Sequence, residues 1–238
     1  MKLICYLALG SPSLQHSIEI SSKYVEAGCD VIEIDFPASD PYLDSPYIRE
    51  RMALALQGCN DYHEYMNTIE IIMRNNKSTR FIVLIYEDTV LQIGTEEFIQ
   101  FCLNNSLHDI ICVGNKFPMV RTKLMDSGLK ISTYVQFHMP KSELEVAKNA
   151  NGFIYLQAKS NGLFHETSKT LKDNISYLRE VCLIKTPIYC GVGVSSPEDI
   201  LTLKEANADG AFVGSVILKL HDDVPKMMDL IKNLKSKT

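Results

Sequence analysis

The chain has 238 residues, 46% hydrophobic and 22% charged, with 12 glycines and 9 prolines; these proportions exclude a disordered, collagenous or fibrous chain and fit one globular domain spanning residues 1–238. Lys and Arg number 24 against 29 Asp and Glu, a formal net charge of −5, and no basic run could track a phosphodiester backbone, so nucleic acid is not an expected partner. The longest apolar runs, such as Phe81 to Tyr86, fall far short of the ~18–20 residues of a membrane span, and no small-residue cleavage pattern follows the opening MKLICYLALG.

Seven cysteines (Cys5, Cys29, Cys59, Cys102, Cys112, Cys182, Cys190) form an odd set without CxxC spacing, mostly inside apolar segments. They read as reduced thiols of a cytoplasmic protein rather than a disulfide framework or zinc site. The six histidines do not cluster, and only His138 soon follows a predicted strand, so no metal is expected.

Eight short apolar runs predict strands at Leu3–Ala8, Val31–Phe36, Phe81–Tyr86, Asp109–Val113, Lys130–Val135, Gly152–Gln157, Pro187–Gly191 and Gly210–Val213. Amphipathic stretches between them predict helices at Leu14–Ala27, Tyr47–Leu56 with Tyr62–Arg74, Glu96–Asn104, Pro118–Asp126, Lys141–Lys148, Leu171–Val181 and Pro197–Glu205. A last helix runs from Val216 to about Leu234. Eight strand–helix units in roughly 250 residues or fewer predict a (β/α)8 TIM barrel. A doubly wound open sheet would want a glycine-rich turn after the first strand, and Gly10-Ser11-Pro12 is not that turn. In a barrel, chemistry belongs at the C-terminal ends of the strands.

The last two strands run into Gly191-Val192-Gly193-Val194-Ser195-Ser196-Pro197 and Val213-Gly214-Ser215, each feeding a helix. Either turn alone is equally a tight connection. As a pair, they predict a site where backbone amides hold the phosphate of a small phosphate ester. Such a site also accommodates an anionic ligand on an acidic chain.

In the second strand, Val31-Ile32-Glu33-Ile34-Asp35-Phe36, isoleucines alternate with carboxylates, so Glu33 and Asp35 share one face. A carboxylate rarely faces a barrel lumen without a partner or a chemical role, and Glu33 is the candidate acid/base group, with a lumen ion pair as its plainer alternative. The strand continues as Pro37-Ala38-Ser39-Asp40-Pro41-Tyr42-Leu43-Asp44-Ser45-Pro46, a loop stiffened by three prolines and carrying two more carboxylates.

The pattern E-x-x-x-P-x-S-D-P-x-x-D-x-P from Glu33 onward closely resembles the signature of the tryptophan synthase α chain family, near ELGxPFSDPxADGP. The likeness extends to Leu7–Pro12 as first strand and turn, Leu84-Ile85-Tyr86, Gly152-Phe153-Ile154-Tyr155, and the phosphate turns at Gly191–Val194 and Gly214-Ser215. The resemblance implies a (β/α)8 barrel that cleaves indole-3-glycerol phosphate to indole and glyceraldehyde 3-phosphate. It needs no cofactor of its own and passes indole to a β chain in an α2β2 assembly that makes L-tryptophan. It further implies that Glu33 is the general acid/base, and that Asp44 accepts the indole N–H. Tyr6, Tyr86 and Tyr155 would line the indole pocket, and the amides of Gly162, Gly191, Gly193, Gly214 and Ser215 would bind phosphate.

The chain departs from the family in four places. Asp35 and Ser45 stand where family members usually have glycine. Same-face neighbours on a strand are about 6–7 Å apart, so Asp35 should titrate together with Glu33 unless it turns toward a cation such as Lys159. The family's D-[LV]-P turn after the fourth strand is Asn115-Lys116-Phe117, and its lid after the sixth is the shorter Lys159-Ser160-Asn161-Gly162. Two alternatives follow: a catalytically weak subunit that activates a β-like partner, and a Schiff-base aldolase using Lys159.

Overall fold

The computed structural model describes residues Met1 to Thr238. The apolar runs form nine parallel strands: β1 (Lys2–Ala8), β2 (Val31–Asp35), β3 (Arg80–Tyr86), β4 (Asp109–Val113), β5 (Lys130–Ile131), β6 (Thr133–Val135), β7 (Ile154–Gln157), β8 (Ile188–Gly191) and β9 (Gly210–Val213). Their order in the sheet is β5-β4-β3-β2-β1-β9-β8-β7-β6. The two edges are the halves of one predicted strand, Lys130–Val135, broken at Ser132. Ser132 N–H donates to Ile110 O at 2.9 Å on one side, and Thr133 N–H donates to Phe153 O at 3.0 Å on the other. A single run of chain thus bonds first to β4 and then to β7, and the sheet becomes a nearly closed (β/α)8 barrel.

Alternation along the strands sorts side chains into two shells. Leu3, Cys5 and Leu7 of β1, Ile32 and Ile34 of β2, and Val83 and Ile85 of β3 turn outward into a shell of 57 buried residues shared with the helices. Ile4, Val31, Ile82, Ile111, Phe153 and Phe212 turn inward and plug the lumen. Filling that floor with branched and aromatic groups closes the barrel as a pore, so any ligand must enter at the mouth above it.

The helices follow the predicted spacing, with differences that have local causes. Pro46 at the first helical position, capped by Ser45, starts one helix at Pro46–Gly58. Helix Glu87–Ile93 arises where no helix is predicted, ended by Gly94 at φ 101° before a second helix, Thr95–Asn104. Leu171–Ser176 continues into a π-helical turn, Tyr177–Val181. The single helix predicted from Val216 to Leu234 is two: Ser215–Leu218 and Val224–Lys235. Asp223 caps the second through Lys226 N–H with Pro225 in its first turn, so the helix restarts rather than continues. No helix is long and apolar enough to cross a membrane.

Candidate active site

The inward face of β2 continues upward from the plug as Glu33 and then Asp35, and both are buried, 4% and 1% exposed. In register, Glu33 lies beside Tyr6 of β1 and Ile82 of β3, and Asp35 lies beside Ala8 and Leu84. Asp35 does not turn toward Lys159. The Tyr6 hydroxyl donates to its Oδ2, and the Leu9 amide donates to its Oδ1 at 2.6 Å. Lys159 instead pairs with Asp199 at 2.6 Å. Glu33 makes no ion pair, which sets aside the lumen-pair alternative.

The third carboxylate reaches the mouth from the loop after β2. Asp44 Oδ2 accepts the Tyr86 hydroxyl of β3 at 2.6 Å. The loop is clamped from both sides. Arg49 donates from Nε to Asp44 O at 2.8 Å and from Nη2 to Tyr42 O at 3.1 Å, and Tyr62 donates to Pro37 O at 3.0 Å. On the far rim, Lys116 pairs with Asp40 at 2.9 Å and lies 4.2 Å over the Tyr42 ring. These contacts and the three prolines hold Asp44 in place before any ligand arrives.

Burial governs the electrostatics. Desolvation, with the charges of Asp35 and then Asp44, pushes the Glu33 carboxyl up to about 8. Asp35 is pushed up to about 7 by desolvation, against the pull of its Tyr6 and Leu9 donors. Asp44 is raised by partial burial and held down by Tyr86 and Arg49. Three carboxyl groups in one mouth therefore differ in their readiness to hold a proton, which is what a site doing both acid and base work requires.

The remaining walls are aromatic. Tyr155 of β7 stacks on Phe212 of β9 with centroids 4.4 Å apart and planes 14° from parallel, and Tyr134 meets Tyr155 edge-on at 5.8 Å. Burial and the Glu33 charge both raise the Tyr155 phenol. Phe212 escaped the sequence reading, and its signal was an aromatic side chain at an inward register position. Gly191 is required for clearance, since a Cβ there would lie 2.5 Å from the Tyr155 ring.

At the ends of the last two strands the glycine turns divide. Ser195 and Ser196 N–H donate to Asp199 Oδ2 at 2.8 and 3.1 Å, so that helix start is occupied by its own capping box. The amides of Gly193 and Gly214 make no hydrogen bond within the chain, and Ser215 is exposed beside Gly214. The Gly162 amide is engaged locally, donating to Ser160 Oγ at 3.0 Å. Lys159 is half-exposed and ion-paired, with its stem against Gly193; a Schiff-base lysine needs a desolvated amine, which this is not. A groove of about 300 Å³ lies elsewhere, between helices Tyr62–Asn75 and Thr95–Asn104, and is lined by groups such as His63, Glu70, Glu97 and Asn104. It touches no strand end.

A parallel (β/α)8 barrel with a plugged floor and three carboxylates among tyrosines at its mouth belongs to the barrel-enzyme class of architecture. The profile of the tryptophan synthase alpha chain family matches residues 1–237, and the chain belongs to that family. The tryptophan synthase alpha chain of Leptospira biflexa is 25% identical over 97% of this chain and 89% of its own length. That of Staphylococcus carnosus is 26% identical over 92% and 87%. Among solved structures, tryptophan synthase from M. tuberculosis in its aminoacrylate-bound form superposes with a TM-score of 0.81 at 23% identity, covering 99% of this chain and 92% of that one. The tryptophan synthase subunit alpha of Legionella pneumophila gives 0.80 at 21%, covering 99% and 92%. The structural likenesses establish the fold.

Proposed function

We propose that the chain is a lyase that cleaves indole-3-glycerol phosphate to indole and glyceraldehyde 3-phosphate in L-tryptophan biosynthesis. It would act in the cytoplasm with a tryptophan synthase β chain as its partner. The observation that carries this reading is Glu33: a buried carboxyl, raised to about 8, facing the mouth with no partner in the chain. Such a group reaches neutral pH protonated and can deliver its proton.

The chemistry then divides among the residues in place. Glu33 protonates indole C3, and Asp44 accepts the ring N–H and stabilises the positive charge of the resulting indolenine. The bond from C3 to the glycerol carbon breaks, its electrons restore the indole ring, and the hydroxyl on that carbon becomes the aldehyde. Glu33, now ionised, takes the hydroxyl proton, so the enzyme ends as it began. Tyr6, Tyr86 and Tyr155 wall the indole, and Phe212 of the plug backs the Tyr155 ring. The phosphate falls to the unengaged amides of Gly193 and Gly214 with Ser215. Gly191 lies under this site as clearance for Tyr155, and Gly162 joins it only by releasing Ser160.

The test is indole release from indole-3-glycerol phosphate, with and without the β chain of the same source. Turnover that depends on Glu33 supports the lyase. A chain that releases no indole yet raises the activity of that β chain supports the activator alternative.

A further inference from the structure

Asp35 is the most deeply buried carboxylate of the mouth, and the fold treats it differently from its neighbour two residues back. It receives two donors, the Tyr6 hydroxyl and the Leu9 amide, whereas Glu33 receives none. Donors aimed at a carboxylate favour its ionised form. Both groups sit on the same face of β2 at about 6–7 Å, in a site with little water to screen them. The titratable groups around the pair are Tyr6 from β1, Asp44 from the loop after β2, Tyr155 from β7 and Tyr65 from helix Tyr62–Asn75. No cation contacts either carboxylate, because Arg49 is engaged by main-chain oxygens and Lys159 by Asp199.

We propose that Asp35, anchored by Tyr6 and Leu9, is a positioning residue that carries the first negative charge of the mouth and thereby keeps Glu33 protonated as the proton donor. This deepens the lyase reading above and rests on it for the donor's role. The same hydrogen bond fixes the Tyr6 ring against the pocket wall, so one side chain sets both a proton and an aromatic surface. A glycine, the residue usual in the family signature, supplies neither. In this chain Tyr6 and Asp35 form a paired device, and loss of either member should disturb the other.

The experiment is an infrared titration of the ligand-free chain that follows the carbonyl band of protonated carboxyl groups, with Glu33→Gln assigning the Glu33 component. In Asp35→Asn the Glu33 midpoint should fall by about one to two pH units, the effect of removing a like charge at this range. In Tyr6→Phe, which keeps both carboxyls, the lower midpoint should rise because Asp35 loses a donor. Circular dichroism establishes that each variant is folded, and Asp35→Gly replaces Asp35→Asn if the amide is not tolerated. A Glu33 midpoint unmoved in a folded Asp35 variant, or a lower midpoint unmoved in Tyr6→Phe, overturns the proposal. Indole release measured in parallel separates the two readings. A shifted midpoint in a chain that releases no indole removes the lyase and leaves the coupling, whereas full release with an unmoved midpoint does the reverse.

Discussion

The Tyr86 hydroxyl donates to Asp44 Oδ2 at 2.6 Å, joining the end of β3 to a residue forty-two positions earlier, in the loop that follows β2. One carboxylate oxygen thereby has a donor, and the other has none within the chain. The bond also aims that free oxygen, since a loop carboxylate with one fixed donor has few remaining rotamers.

Asp44→Asn should lower kcat by about a hundredfold or more, because an amide cannot stabilise a developing positive charge as a carboxylate does. Tyr86→Phe should cost less, about tenfold, since it loosens the carboxylate without removing it. Steady-state kinetics on indole-3-glycerol phosphate distinguishes the two. A rise confined to KM in Asp44→Asn would contradict the role in the transition state.

Glu33→Gln should abolish indole formation and stabilise the fold at alkaline pH. The native carboxyl is raised from its ordinary value to about 8, so the folded chain holds a proton that the unfolded chain has released. The stabilisation is complete below the unfolded midpoint near 4.5 and is lost as pH rises through 8, at up to about 1.4 kcal/mol per unit. Urea melts at pH 5 and pH 8 should therefore show the wild type losing more stability over this range than Glu33→Gln. Equal losses would mean that Glu33 is not buried in its neutral form.

Inorganic phosphate should compete with substrate, and Gly214→Ala should weaken that competition about tenfold while leaving the melting temperature nearly unchanged. A Cβ at Gly214 meets Tyr6 Cβ at 3.6 Å, an ordinary contact, so the core accepts the added methyl while it crowds the Gly214 amide proposed for the phosphate. Inhibition by phosphate that is unchanged in Gly214→Ala would place the anion elsewhere.

Gly191→Ala should act through packing instead. Its Cβ would stand 2.5 Å from the Tyr155 ring, which is stacked on Phe212 and must shift to admit it. Overpacking of this kind costs about 1–3 kcal/mol, and a thermal melt should register it together with lost indole release. A variant as stable as the wild type would show that the Tyr155 stack yields easily.

Much of this arrangement is written locally. The alternation Ile32, Glu33, Ile34, Asp35 determines which side chains enter the lumen, because a strand's period of two leaves no choice once one face must be apolar. The proline-rich run to Ser45-Pro46 determines a stiff loop followed by a helix start. The count of apolar runs and helices determines a barrel, whereas the helix Glu87–Ile93, ended by Gly94, was not legible in the sequence. What only the tertiary structure decided are the partners. Asp35 faces Tyr6 and Leu9 rather than Lys159, and Lys159 belongs to Asp199. Gly191 lies against a ring from a different strand. Each of these pairs joins residues brought together by barrel closure and strand register. A local sequence determines which face a side chain takes, but which group lies opposite depends on how all the strands stagger when the sheet closes.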